Sequence, residues 1–189
     1  LVLTALIVLG AGVRIVLGPE MPNFAPIAAI SLFAGYFFQR TALAFFAPWL
    51  AMLVSDAVLP RHEWQMMLLV YFMFTLPIAF SWLLRGVVKI ERSSSASSLL
   101  TSVGALIGCS LVSSVLFFLA TNFAWLPWND LYPHTVDGLI QSYERGLPFF
   151  QNTLAGDLFF ACALFGSYAL AVSAGWVSDA AIEPKTVSA

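Results

Sequence analysis

Residues 99–126 read LLTSVGALIGCSLVSSVLFFLATNFAWL and contain no Asp, Glu, Lys or Arg. A helix needs about 20 predominantly apolar residues to cross the roughly 30 Å hydrocarbon core of a bilayer, so this segment is long enough to span it. The whole chain has the same character, because 60% of its 189 residues are hydrophobic, 10% are charged, and its mean hydropathy is +0.89. This composition is too apolar for a soluble domain of this size and predicts an integral membrane protein.

Five other apolar segments accompany this one. The predicted spans are 1–17, 24–38, 41–59, 65–84, 99–126 and 153–177. The second is short, so it is expected to be thin, irregular at one end, or sheltered by its neighbours. We predict an all-α polytopic membrane protein, with a single transmembrane domain (residues 1–189) that forms a bundle of six transmembrane helices. Residues 127–152 are predicted to form an external cap, with residues 135–146 as a short interfacial helix.

The orientation follows from the basic residues of the loops. Residues 85–98 form a polar, basic stretch that the positive-inside rule places in the cytoplasm. Alternation from this loop puts both termini in the cytoplasm and predicts a multi-pass protein of the cytoplasmic membrane. The basic residues then divide into five inside, Arg40, Arg85, Lys89, Arg92 and Lys185, and three near the outside, Arg14, Arg61 and Arg145.

Six polar or charged residues interrupt the apolar runs, and this topology places them near the outer face. They are Arg14, Asn23, Asp56, Asn122, Asn152 and Asp157. A charged side chain at the bilayer centre costs roughly 2.5 to 3.5 kcal/mol on insertion scales, so it usually has a partner, water or a ligand. The shared depth therefore indicates a candidate binding site.

Two interpretations of these residues stay open. Asn23 and Asn152 are ordinary N-capping residues for helices that begin just after them, or they orient a ligand by hydrogen bonds. Asp56 and Asp157 lie inside apolar helices, where capping does not explain a carboxylate. Arg14 is the natural counter-ion for one of them in a structural ion pair, and the other interpretation is that at least one aspartate faces a ligand.

Aromatic residues are abundant near the predicted outer face. Trp128 and Tyr132 are expected to cover the flat face of an organic ligand, although interfacial anchoring and lipid contact are the commoner roles of any single ring. His62, His134 and the methionines after His62 permit a metal ligand set in principle, but their spacing is unspecific. We expect neither a metal nor a cofactor.

Small residues recur at a spacing of four in three places, the pattern that lets membrane helices approach closely. The pairs are Ala25 and Ala29, Ser31 and Gly35, and Ala47 and Ala51. We expect most of these contacts to lie within the bundle, and the alternative is a seam for a partner subunit.

Enzymatic function has little support in the sequence. The chain has no G-x-S-x-G elbow, no H-E-x-x-H pair and no Gly-rich phosphate loop followed by Lys. It has no ATPase module, so an energised process would need a partner. No basic block indicates nucleic acid.

Four strings carry a resemblance to a known family: NFAPIAAI at 23–30, the Ser55 and Asp56 pair, residues 117–123, and PFFQNTLAGD at 148–157. They resemble an uncharacterised family of small bacterial membrane proteins. That family is similar to the substrate-capture S components of energy-coupling-factor transporters. The resemblance implies a six-helix bundle with both termini inside, a vitamin site facing outward, and a transmembrane coupling subunit with ATPases as partners.

The leading hypothesis is a membrane subunit that captures a small organic nutrient, such as a vitamin or cofactor precursor, from the outer side. Asp56 and Asp157 would contact its polar groups, and Asn23, Asn122 and Asn152 would orient it. The alternative is a structural or assembly subunit of a larger membrane complex, whose buried polar residues only fix helix register. A cavity that touches both aspartates is the observation expected to separate the two.

Overall fold

The computed structural model describes residues 1–38, 40–60, 63–88, 90, 96–123, 126–128 and 131–177. Within these residues the regular structure is entirely helical, which confirms the all-α prediction for this part of the chain. The helices are α1 (Val2–Leu17), α2 (Ile27–Phe37), α3 (Thr41–Asp56), α4 (Trp64–Val87), α5 (Ala96–Thr121) and α6 (Val136–Ser173). Several residues behind the orientation and metal hypotheses lie outside the described residues, namely Arg61, His62, Lys89, Arg92 and Lys185.

Three of the described helices, not six, are long and apolar enough to cross a membrane: α4, residues Ser97–Thr121 of α5, and α6. Helices α1 and α3 have 16 residues each and α2 has 11. At 1.5 Å per residue they reach about 24 Å and about 17 Å, less than the roughly 30 Å of hydrocarbon. Helix α3 falls short of its predicted span because it ends at Asp56. The chain thus has the long apolar helices of a membrane protein, with three shorter ones packed among them.

Helix α2 lies at the centre of the bundle. Ten of its 11 residues are buried, and it packs mainly against α3, α4 and α6. A helix that is apolar on every side is stable when other helices surround it. The short second segment is therefore sheltered by its neighbours, one of the outcomes expected from its length.

Arg85 of α4 binds the carboxyl end of α2. Its guanidinium donates hydrogen bonds to the carbonyl oxygens of Gly35 and Phe38, the latter at 2.5 Å. The last carbonyl groups of a helix have no partner within the helix and carry partial negative charge. Arg85 therefore stabilises the end of α2 that lies farthest from Asn23.

Small residues set the closest helix contacts. A methyl group on Gly10 of α1 would lie 2.7 Å from Cβ of Ala51 in α3, and one on Gly35 of α2 would lie 2.8 Å from Cβ of Ser81 in α4. Real Cβ atoms do not approach so closely, so both positions depend on glycine. Gly35 and Ala51 belong to the small-residue pairs seen in the sequence, and both make their contacts within the bundle.

Helix α6 is longer than the predicted span 153–177. It begins at Val136, where the Thr135 side chain accepts a hydrogen bond from the backbone N–H of Gly138 at 3.1 Å, and it runs for 38 residues, or about 57 Å. Residues 136–152 of the expected external cap are thus the first part of the same helix, and Pro148 does not end it. This part packs along the end of α5, where Ser142 donates to the carbonyl oxygen of Asn122 at 2.7 Å.

Candidate functional site

A cavity of about 410 Å³ lies at one end of the bundle. It is enclosed by the C-terminal ends of α1 and α3, the segment before α2, the first half of α4, and parts of α5 and α6. The described residues that line it are Arg14, Gly18, Pro19, Pro22, Asn23, Phe24, Ala25, Met52, Asp56, Leu59, Pro60, Met66, Met67, Val70, Tyr71, Phe74, Phe117, Thr153 and Asp157. Its volume is in the range of small-molecule binding sites, roughly 300 to 1,000 Å³.

Arg14 and Asp56 form an ion pair at the edge of this cavity. The guanidinium Nη1 of Arg14 lies 2.8 Å from Oδ1 of Asp56 and also donates to the hydroxyl of Ser55. The Tyr71 hydroxyl donates to the second oxygen, Oδ2 of Asp56, at 2.8 Å. Both oxygens of Asp56 are therefore engaged: Arg14 of α1 balances its charge, and Tyr71 of α4 adds a hydrogen bond.

Asp157 has different surroundings. It is 3% exposed and accepts a hydrogen bond from the Ser114 hydroxyl at 2.6 Å. The same hydroxyl lies 3.0 Å from the carbonyl oxygen of Ser110, so its one hydrogen is shared between two acceptors. Arg14 is the only basic residue among the described residues that line the cavity, and it pairs with Asp56. The carboxyl group of Asp157 thus lies at the cavity without a described counter-ion.

Asn23 also lines the cavity, but it does not cap a helix. Helix α2 begins at Ile27 and its N-cap residue is Pro26, so the capping interpretation of Asn23 is wrong. Asn23 instead has a backbone φ of 66°, a left-handed conformation that asparagine tolerates better than most residues. The chain turns there between α1 and α2, which carries Asn23, Phe24 and Ala25 to the cavity wall.

Asn152 is not an N-cap either, because α6 begins 16 residues before it. Its side-chain Nδ2 donates to the carbonyl oxygen of Pro22 at 3.0 Å, which ties α6 to the loop between α1 and α2. Asn152 does not line the cavity, although its neighbour Thr153 does. Its described role is to hold the loop that carries Asn23.

Three other predicted site residues lie away from the cavity wall. Asn122 donates from Nδ2 to the Phe118 carbonyl oxygen at 3.0 Å, just beyond the end of α5. The Tyr132 ring lies 5.9 Å from the guanidinium carbon of Arg145. The indole Nε1 of Trp128 is buried without a hydrogen-bond partner among the described residues. The structure therefore brings Arg14, Asn23, Asp56 and Asp157 together and leaves Asn122, Trp128, Tyr132 and Asn152 outside.

Seven of the other 15 described lining residues are aromatic or methionine. The rings of Phe74 and Phe117 stack with centroids 4.9 Å apart and planes at 24°. Tyr71 contacts Trp49 edge-on at 6.0 Å. Neither Phe74 nor Ser114 stood out in the sequence. Ser110 and Ser114, four residues apart in an apolar run, mark one face of α5 and are the signal that points to the partner of Asp157.

No cluster of three or more His, Cys, Asp or Glu residues suited to a metal ion is present in the part of the chain that the structure describes. The cavity supplies instead two carboxyl groups, one guanidinium, an asparagine and an apolar wall. These groups suit reversible binding of a small molecule with polar and flat apolar parts.

A family model, described as a family of unknown function, DUF6580, matches residues 1–179. The chain belongs to this family. Among curated proteins and among solved structures, no match to the chain was found. Family membership agrees with the resemblance to an uncharacterised family of membrane proteins, and the match covers all six helices and the whole cavity wall.

Proposed function

We propose that this DUF6580 protein is a membrane subunit that captures a small organic nutrient, such as a vitamin or cofactor precursor, from the outer side of the cytoplasmic membrane. The observation that carries the proposal is a cavity of about 410 Å³ that both Asp56 and Asp157 line. A protein that used its buried polar residues only to fix helix register would not need two of its carboxyl groups to line a cavity large enough for a small molecule.

The two ends of the bundle differ in the charged groups that line their cavities, and the difference supports a binding role for the end that carries the two aspartates. At the end that holds the cavity of about 410 Å³, the C-terminal halves of α1 and α3 meet the loop before α2. The side chains of Arg14, Asp56 and Asp157 line this cavity. At the other end a second cavity of about 400 Å³ lies beside Arg85, whose guanidinium is bound to the carbonyl oxygens that end α2, and its described lining residues include no carboxyl group. On the positive-inside topology the end that carries the two aspartates is the outer one, with all six helices embedded and both termini in the cytoplasm.

Within the site, Asp157 and Asn23 would contact polar groups of the ligand, while Asp56, held by Arg14 and Tyr71, would fix the shape of one wall. The rings of Tyr71, Phe74 and Phe117 would cover a flat apolar part. We leave Asn122, Trp128, Tyr132 and Asn152 out of the binding set because they do not line the cavity.

Delivery of the ligand would depend on partners. The chain has no ATPase motif, and the likeness to energy-coupling-factor S components points to a transmembrane coupling subunit with ATPases. In this proposal the protein binds and carries its ligand and performs no reaction on it.

Native mass spectrometry of the protein purified from its own membranes tests the proposal. We expect the wild-type protein to retain a small molecule whose occupancy falls in Asp157→Asn. Asp137→Asn is the matched control, because Asp137 is an exposed carboxylate in the first turn of the same helix. Absence of any retained or added metabolite, across a panel of vitamins and their precursors, would contradict capture.

The structural-subunit alternative rests on the Arg14, Ser55, Asp56 and Tyr71 network, which is closed and needs no ligand. It predicts that the protein co-purifies with a stoichiometric partner and holds no small molecule. The same spectra distinguish the two functions, because a bound metabolite and a bound subunit differ in mass by orders of magnitude.

A further inference from the structure

The charges at the cavity wall do not balance. The described lining residues include two carboxyl groups and one guanidinium, and the guanidinium is paired with Asp56. Asp157 is left with a share of one hydroxyl hydrogen from Ser114, although an ionised carboxylate accepts about four hydrogen bonds.

An isolated carboxylate removed from water is costly, and proteins offset the cost with a proton, a cation or several hydrogen-bond donors. Such donors are scarce around Asp157. Its chain neighbour Gly156 packs against the backbone of Ala25, where a methyl group on the glycine would lie 3.1 Å from the backbone nitrogen. This side of α6 is therefore closely packed, and because Asp157 lines the cavity, a donor can reach its carboxylate from there.

From this geometry we infer that the ligand carries a protonated amine or a similar cationic N–H group that pairs with Asp157. The inference rests on the proposed capture function and specifies the chemical class of its ligand. A charge-assisted hydrogen bond of this kind would supply the counter-charge that the described residues do not provide.

The other side chains of the cavity wall indicate the chemistry of the rest of the ligand. Phe74 and Phe117 present a stacked aromatic surface, and Met52, Met66 and Met67 add flexible apolar side chains that adapt to flat ring systems. Tyr71 is held by Asp56 and contributes its ring. The class that fits is a small aromatic or heteroaromatic amine, with its ring against α4 and α5 and its cation at α6.

Three compounds of one shape and different charge test the inference: tryptamine (a cation at neutral pH), tryptophol (neutral) and indole-3-propionate (an anion). Their binding to the full-length protein in detergent is measured by isothermal titration calorimetry. We expect tryptamine to bind at least about tenfold more tightly than the other two, because only tryptamine can form a charge-assisted hydrogen bond with the Asp157 carboxylate. Asp157→Asn should remove this preference, whereas Asp137→Asn should retain it.

Other outcomes overturn the inference. Equal binding of tryptophol, tighter binding of indole-3-propionate, or a tryptamine preference that survives Asp157→Asn would each exclude Asp157 as the partner of a cation. Even if Asp157→Asn fails to fold, the order of the three affinities for the wild-type protein tests whether the site prefers a cation. Ser114→Ala, which keeps the carboxylate, should keep the preference.

The proposed function can survive failure of this inference. A metabolite retained in native mass spectra, together with no binding of the three indoles or with a preference for the neutral or anionic one, leaves capture standing and removes the cationic amine. If the protein shows neither a retained metabolite nor indole binding, the capture function and the cationic ligand are both excluded.

Discussion

Asp56 and Asp157 are the same residue type, both line one cavity, and their neighbours differ. Asp56 ends α3, is 15% exposed, and has both oxygens bound, one by Arg14 and one by Tyr71. Asp157 lies inside α6, is 3% exposed, and shares a single hydroxyl with a backbone carbonyl. The carboxylate of Asp56 has its counter-ion within the protein, whereas that of Asp157 has none among the described residues.

The difference shows how a membrane protein can use the same costly group in two ways. A carboxylate with a fixed counter-ion stabilises the fold and tolerates little change. A carboxylate without one adds little to stability and is available to a ligand. Substitutions around the two aspartates should therefore separate stability from binding.

The largest loss of stability is expected for Arg14→Met. It leaves Asp56 partly buried without its counter-ion, and removal of one partner from a buried pair costs about 3 kcal/mol. Reversible unfolding in mixed detergent micelles measures the change in the free energy of unfolding. The double variant Arg14→Met with Asp56→Asn should lose less than the single one, and an equal or greater loss would show that the ion pair is not the stabilising interaction.

Gly10→Ala should follow at about 2 kcal/mol, because a new methyl group would lie 2.7 Å from Cβ of Ala51 and would overpack the contact between α1 and α3. Gly10 lies one helical turn before Arg14, so the change separates the two helices that hold the ion pair. The control is Gly12→Ala, where nothing lies within 4 Å of the added methyl group. That control should be neutral or stabilise by up to about 1 kcal/mol. Similar losses in both variants would contradict a tight contact at Gly10.

Tyr71→Phe removes one donor from Asp56 and keeps the ring at the cavity wall. A hydrogen bond to a charged group is worth about 1.5 kcal/mol or somewhat more, and we expect a loss of that size in the same unfolding measurement. Tyr143→Phe serves as comparison, because its hydroxyl donates at 3.1 Å to the uncharged carbonyl of Leu119. A smaller loss in the free energy of unfolding for Tyr71→Phe than for Tyr143→Phe would contradict a stabilising hydrogen bond from Tyr71 to Asp56.

The smallest effect on stability is expected for Asp157→Asn, below about 1 kcal/mol in either direction. The amide has the shape of the carboxylate, keeps an acceptor for Ser114, and leaves no described cation unpaired. Asp56→Asn, which weakens the pairing of Arg14, should cost clearly more. Equal losses for the two aspartates would remove the distinction between them.

Much of the architecture was predictable from residue type and spacing. Long uncharged runs such as 99–126 predict apolar helices, because such runs are stable in a bilayer only when every backbone group is hydrogen-bonded within the segment. The shortness of the second segment suggested shelter among neighbours, and α2 is buried as that length requires. Arg14 was expected to pair with one of the two aspartates.

Helix boundaries were less predictable where caps and turns decide them. Asn23 and Asn152 have the composition of N-caps, yet Asn23 takes a left-handed turn conformation and Asn152 lies inside α6. The external cap predicted for residues 127–152 placed the start of the last helix at 153, whereas packing along the end of α5 stabilises a longer helix that includes Pro148. Local propensity is weaker than such tertiary contacts.

The sequence by itself therefore determined an apolar, all-helical protein with a few costly polar groups, because hydropathy and backbone hydrogen bonding depend only on local composition. The tertiary structure alone decided which aspartate Arg14 neutralises, which aromatic rings face the cavity, and that both carboxylates line one cavity. These features depend on how side chains from distant segments meet, at distances of a few ångströms that residue spacing along one chain does not specify.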